Sequence, residues 1–303
     1  MMVKSIKGAG GLSRKLFTIL VMAAMPGLGF AVDNSIYIDQ SGSNANVAIT
    51  QDGAGNVVRG TQVQGGGTSN STAAKIYGDN NQVTITQVGS DNKLDLNMQA
   101  GTASGGANSS ITYNVTGSGA RAKINMGNNT TSATSSTVTA NQNGAGSILD
   151  ITMNGNTNST NITTAGGANN SVTQTISGDN STSTISMTGG GGNIASTQQS
   201  GAGSNTLAIT AVGATNKFDV RQDGYSNTST NTVTGSGNDV QVRQTGDNNV
   251  STLLISGSGA SNYVGINQGN SSDVANVKIA GSNNNVNISQ GVAGGGLLTL
   301  PTR

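Results

Sequence analysis

The polar side chains that recur at a fixed interval in this chain are carboxamides. Gln222, Gln244, Gln268 and Gln290 follow one another at intervals of 22 to 24 residues. A carboxamide offers N–H donors and an acceptor oxygen, but no acid–base chemistry at ordinary pH. Stacked at a regular spacing, it can bond to the copy above and the copy below as an amide ladder. Gln40, Gln51, Gln62, Gln87 and Gln142 fall at the same point of their own segments. All nine keep the parity of the neighbouring Val and Ile residues, which points to an inward ladder; a strand terminator facing water is the other reading.

The residue types behind most enzyme chemistry are absent. The chain has no His and no Cys, and all 13 acidic residues are Asp. General bases, thiols and most metal ligands are therefore missing, and no imidazole exists to activate the many Ser and Thr hydroxyls. Gly-Asp-Asn recurs at Gly78, Gly178 and Gly246. A calcium site needs several converging carboxylates, so one Asp per turn reads as a turn former or as a charge that slows self-association. We expect no catalytic, cofactor-binding or metal residues and no enzyme activity.

The elements that must position these amides are short strands. From Asn216 the chain reads Asn-x-Phe-x-Val-x-Gln, then x-Gly224-x-x-Asn227, and the same frame returns every 11 residues through Asn238 and Asn249. Alternation with a period of two predicts strands with one buried face. The repeat asparagines Asn34, Asn56, Asn92, Asn216, Asn227, Asn238, Asn249 and Asn284 open these strands. The glycines Gly42, Gly53, Gly89, Gly213, Gly224, Gly235, Gly246, Gly257 and Gly281 close them with turns that need positive φ. The coil-forming polar residues, Asn, Ser and Thr among them, are expected at turns and on outward faces. Two strand-turn units per 22 residues or so predict an all-β solenoid of stacked coils. The only prolines are Pro26 and Pro301, so nothing between them interrupts a ladder.

This Gln-x-Gly-x-x-Asn frame followed by an alternating strand resembles the curlin repeat of bacterial curli, the secreted amyloid fibres of biofilm matrix. The resemblance covers most of the chain after residue 33. It implies self-assembly outside the cell as a major subunit or nucleator, with a related nucleator subunit and an outer-membrane secretion pore as partners, and a role in biofilm and adhesion. The curlin pattern carries Gln at both strand ends. Here Ala211, Val233, Ile255 and Ile279 end the partner strands, and Met98, Met126 and Met153 hold comparable places earlier.

Residues 1–31 read as a secretory leader: Lys4, Lys7, Arg14 and Lys15 precede an apolar run from Leu16 to Met25, with Pro26 as a helix breaker and small residues before Val32. The run is short for a membrane span. Without the leader, 10 cations face 13 Asp, which does not suggest a nucleic-acid binder. Residues 32–290 form the repeat region, roughly twelve coils, with looser Gly/Ser/Thr stretches at 65–72, 100–108, 127–135 and 189–192. Residues 291–303 leave the repeat. The outward faces differ. One shows Lys217, Asp219, Arg221, Asp239 and Arg243, with Lys217 beside Asp239; the other shows Thr206, Thr210, Thr228, Thr230 and Thr232. Val250 and Leu254 replace the threonines in the following coil, which argues against an ice-binding array.

One such coil buries about four aliphatic side chains at ~1.5–3 kcal/mol each. That falls short of the ~1–2 kcal/mol per residue needed to order its backbone. Stability must come from neighbouring coils. A fibre subunit that adds coils head to tail is the first expectation, and a monomeric solenoid adhesin or stalk is the second.

Overall fold

The computed structural model describes residues 2–3, 18–23, 34–41, 46–60, 72–98, 109–127, 133–257 and 260–291. These form an all-β solenoid of roughly ten coils with no helix among them. Every strand pairing is parallel, and each coil contributes one strand to each of two facing sheets. The first sheet has 14 strands and ends Lys217–Tyr225, Asp239–Thr245, Tyr263–Gln268, Asn285–Gln290. The second is a four-stranded and an eight-stranded piece joined through bridges at Ser110.

Alternation explains the core. In Asp239–Thr245, Val240, Val242 and Gln244 are buried while Asp239, Gln241 and Arg243 point outward. Parallel in-register pairing then stacks like on like: Val220 opposes Val242, which opposes Ile266. The largest buried side chains include Tyr113 and Phe218. Coil length is 22 to 24 residues where no insertion intervenes, so the solenoid is shorter than the twelve coils that dividing the chain by 22 gives.

The first insertion splits a strand. Val57–Gly60 pairs with Lys93–Leu96, and Ala74–Tyr77 then resumes the same row, with Ile76 opposite Met98. Gly60 sits where the chain leaves and re-enters: a Cβ there would lie 2.2 Å from the Ala73 carbonyl oxygen. The frame thus returns at Ala74. The stretch at Gly189–Gly192 is no break either, since Thr188–Gly189 pairs with Val212–Gly213.

At the N-terminal end, Thr18–Ala23 is a strand and pairs with Asn46–Gln51. A Thr-Ile-Leu-Val run is rich in strand formers, and the edge of the first coil offers it a row of backbone partners. Met2–Val3 pairs likewise with Ser35–Ile36.

Candidate functional site: a ladder of buried amides

Two sets of side-chain amides run through the solenoid interior. The glutamine ladder is continuous over the last five coils. Gln199 Nε2 donates to Gln222 Oε1 at 3.1 Å, Gln222 to Gln244 at 3.0 Å, Gln244 to Gln268 at 3.0 Å and Gln268 to Gln290 at 3.2 Å. Each amide also reaches across the core to the opposite sheet: Gln222 Nε2 donates to the Thr206 carbonyl at 2.9 Å and Gln244 Nε2 to the Thr228 carbonyl at 2.8 Å. Gln222, Gln244 and Gln268 have no solvent exposure. Their desolvation is tolerable because both amide protons and the oxygen are used. The ladder therefore ties coil to coil and sheet to sheet at once.

The remaining expected glutamines do not join that ladder. Gln51 donates to Gln87 at 2.7 Å in the second sheet. Val115 follows Gln87 in this column, and buried Gln142 instead accepts from the Tyr113 hydroxyl at 3.1 Å. Gln40 lies in the first sheet opposite Ile76, whose next neighbour is Met98, so no glutamine follows it. Gln62 lies outside the described residues, and the row position expected for it is taken by Ile76. Met98, Met126 and Met153 also stand elsewhere than expected. They stack in the first sheet, in the column that Ile176 leads into Gln199, and not at the partner corner. The first coil carries Gln40 in one sheet and Gln51 in the other; in the coils after it, an amide at one corner shares its coil with an apolar or small side chain at the other. Gln87 shares its coil with Ile76, and Gln244 shares its coil with Ile255. The amide corner changes sheet along the chain, from Gln51 and Gln87 in the second sheet to Gln199 and its successors in the first.

The asparagines do more than open strands. The structure places them inward, against the expectation that polar residues sit at turns and outward positions. Asn56, Asn92, Asn216, Asn227, Asn238 and Asn249 are all buried. Asn227 Oδ1 accepts from the Asn249 backbone N–H at 3.0 Å, and its Nδ2 donates to the Gly246 carbonyl at 2.7 Å. Asn216 does the same to Asn238 at 3.1 Å and Gly235 at 2.9 Å. Asn34 and Asn56 repeat the acceptor contact at the start of the solenoid, and Asn284 closes the series by donating to Asn262 at 2.9 Å. Each satisfies a corner N–H and a turn carbonyl that no strand ladder reaches. Asn158, Asn170, Asn193, Asn205 and Asn262 belong to the same set, as does Gln199 to the glutamines. Their signal in the sequence is only the spacing to the next copy.

The glycines explain why the corners can approach. Gly53, Gly89, Gly213, Gly224, Gly235, Gly246, Gly257 and Gly281 all have positive φ, and Gly42 lies outside the described residues. At Gly224 φ is +132°, and a Cβ would lie 2.0 Å from the Gly246 oxygen, the atom that accepts from Asn227. The turn aspartates also link coils: Asp179 Oδ1 accepts from the Asn156 N–H at 2.6 Å and Asp247 Oδ1 from the Tyr225 N–H at 2.8 Å.

The interior of the middle coils is less well satisfied. Gln142 Nε2, Thr164 Oγ1, Gln174 Nε2, Ser183 Oγ and Thr197 Oγ1 are buried without a partner. Thr197 stands between Gln174 and Val220 in its column. Thr197→Val keeps the shape and removes an orphan hydroxyl, so it is expected to raise stability by about 1 kcal/mol in denaturant unfolding.

Burial pushes the Tyr113 hydroxyl far above its ordinary value of 10.0. A phenol that stays protonated in the fold but ionises near pH 10 in the unfolded chain contributes stability that is present below pH ~10 and lost as pH climbs above it. Of the five tyrosines, Tyr113 is expected to ionise last in an absorbance titration, together with unfolding.

The two outer faces differ in kind. Ion pairs Arg59–Asp95, Lys123–Asp150 and Lys217–Asp239, the last at 3.8 Å, all lie on the first sheet. On the second sheet the threonine columns do continue, toward the N-terminus: Thr182 opposes Thr206, which opposes Thr228, and Thr210 opposes Thr232. In the coil after Thr228–Thr234, Val250 and Leu254 end two of the columns while Thr252 continues the one through Thr230.

No protein-family model matches this chain, and no curated protein matches it. No helix among the described residues is long and apolar enough to cross a membrane.

Proposed function

We propose that the chain is a structural subunit that assembles into extracellular fibres by adding coils head to tail, as the curlin-like frame implies. The observation that carries this is the last coil. Val286 and Ile288 are only partly buried, whereas Val264 and Ile266, directly above them, are fully buried. A further coil would cover them and extend the ladder beyond Gln290. The stack is polar: each interior Asn reaches from its own coil to the next, so the N-terminal coil of a second molecule offers the N–H groups that Asn284 would accept. Loss of residues 1–31 on export would strip Thr18–Ala23 from Asn46–Gln51 and open that coil for pairing. A heterologous contact of this kind generates an open filament.

In this reading the protein is no enzyme. It is exported through an outer-membrane pore, with a related nucleator subunit as a further partner, and it supports biofilm matrix and adhesion. The test is electron microscopy and fibre diffraction of chain 32–303 after removal from denaturant. Filaments with reflections near ~4.8 and ~10 Å are expected. A chain that stays monomeric through prolonged incubation and binds no amyloid dye contradicts the reading and leaves a monomeric solenoid adhesin or stalk.

A further inference from the structure

Head-to-tail stacking leaves the two side faces of the solenoid unused, and they are chemically opposite. On the second sheet no described strand between Gln82 and Ser256 carries a charged residue. Over the same rungs the first sheet carries Lys93, Asp95, Arg121, Lys123, Asp150 and the cluster from Lys217 to Arg243. The uncharged face is mostly threonine and serine in aligned columns. Its hydroxyls partly satisfy one another along the stack: Thr137 Oγ1 donates to Ser159 Oγ at 3.1 Å and Thr182 Oγ1 to Thr206 Oγ1 at 3.4 Å. Toward the C-terminal end the same face adds Val212, an exposed apolar side chain, with Val250 and Leu254 two coils further on.

We infer that this face is a lateral docking surface for the same face of a second copy of the chain. Three physical points favour that occupant. Docking through the first sheet would desolvate many charges, a penalty of several kcal/mol per ion, whereas the second sheet buries none. Repeated short side chains in register on stacked parallel strands are the arrangement in which two sheets interdigitate as a dry zipper. The area also suffices: eight rungs at ~4.8 Å by strands averaging about five residues at ~3.3 Å give roughly 630 Å² per partner, at the lower end of stable specific interfaces. The pairing is side to side, perpendicular to coil addition. It holds for a single solenoid as well as for a filament, so it survives failure of the fibre reading.

The test uses two charge variants of the full chain, Thr206→Lys with Thr230→Lys and Thr206→Asp with Thr230→Asp, and the control Gln241→Lys on the first sheet. All four proteins are compared by sedimentation before filaments form and by electron microscopy afterwards. Wild type and Gln241→Lys are expected to sediment at twice the chain mass and to give paired filaments where filaments form. Each double variant alone is expected at half that mass, and an equimolar mixture of the Lys and Asp variants is expected to pair again, which also shows that both fold. The inference is overturned if either double variant pairs as wild type does, if Gln241→Lys breaks pairing equally, or if the mixture stays unpaired. A wild-type monomer that arrests ice recrystallisation, with that activity lost in the double variants, also overturns it and assigns the hydroxyl columns to ordered water.

Discussion

Gly224→Val is expected to destabilise the solenoid by at least ~4 kcal/mol. Gly224 has φ of +132°, a region that costs a β-branched residue dearly, and its Cβ would sit 2.0 Å from the Gly246 oxygen of the next coil. That oxygen cannot withdraw freely, because it holds the Nδ2 of buried Asn227 at 2.7 Å. The substitution therefore strains one turn, displaces the next, and leaves an interior amide without its acceptor. Denaturant unfolding of the variant against wild type measures the loss. A comparable change at Gly257, where a Cβ would meet nothing within 4 Å, carries the φ penalty alone and is expected to cost visibly less.

Gln244→Leu is expected to cost about 3 kcal/mol despite adding an apolar side chain to the core. Three hydrogen bonds disappear: the donation from Gln222, the donation to Gln268 and the donation to the Thr228 carbonyl. The partners are buried and find no water, so each loss approaches the desolvation cost of the orphaned group. Gln290→Leu makes the same chemical change at the last coil, where the amide is partly exposed and its bond to the Val274 carbonyl lies at the surface. There the cost is expected to be within about 1 kcal/mol. Equal losses at the two positions would mean that the ladder contributes nothing beyond a local polar preference.

The repeat itself was legible wherever coils follow without insertion. From Asn205 to Gln290 the alternation, the turn glycines and the glutamine column all have the geometry that their spacing implies, because parallel in-register stacking copies a linear period directly into space. Legibility failed where the period gives no instruction. Nothing in Gln62 shows that the chain departs after Gly60 and that Ile76, beyond an insertion, takes up the row. The corner that Met98, Met126 and Met153 occupy is not legible, because the sequence offers two corners per coil and no marker of which is which until the register through Ile176 is known. The asparagines were visible as a motif but not as interior groups. Asn is ordinarily a turn residue, and its burial follows only from the unpaired corner N–H and glycine carbonyl that the neighbouring coil brings to it. The threonine face was discounted from the one coil where two of its columns end.

Coil-to-coil dependence is tested most directly by a truncation series read by urea unfolding. Fragments ending at Gly291 and beginning at Asn158, Asn205 and Asn249 keep progressively fewer complete coils. Stability is expected to fall with each coil removed, and the shortest fragment is expected to be unfolded in water, since its rungs lack the neighbours that complete their amides. A shortest fragment that folds with the stability of the longest would contradict the account, because each coil would then hold its shape alone.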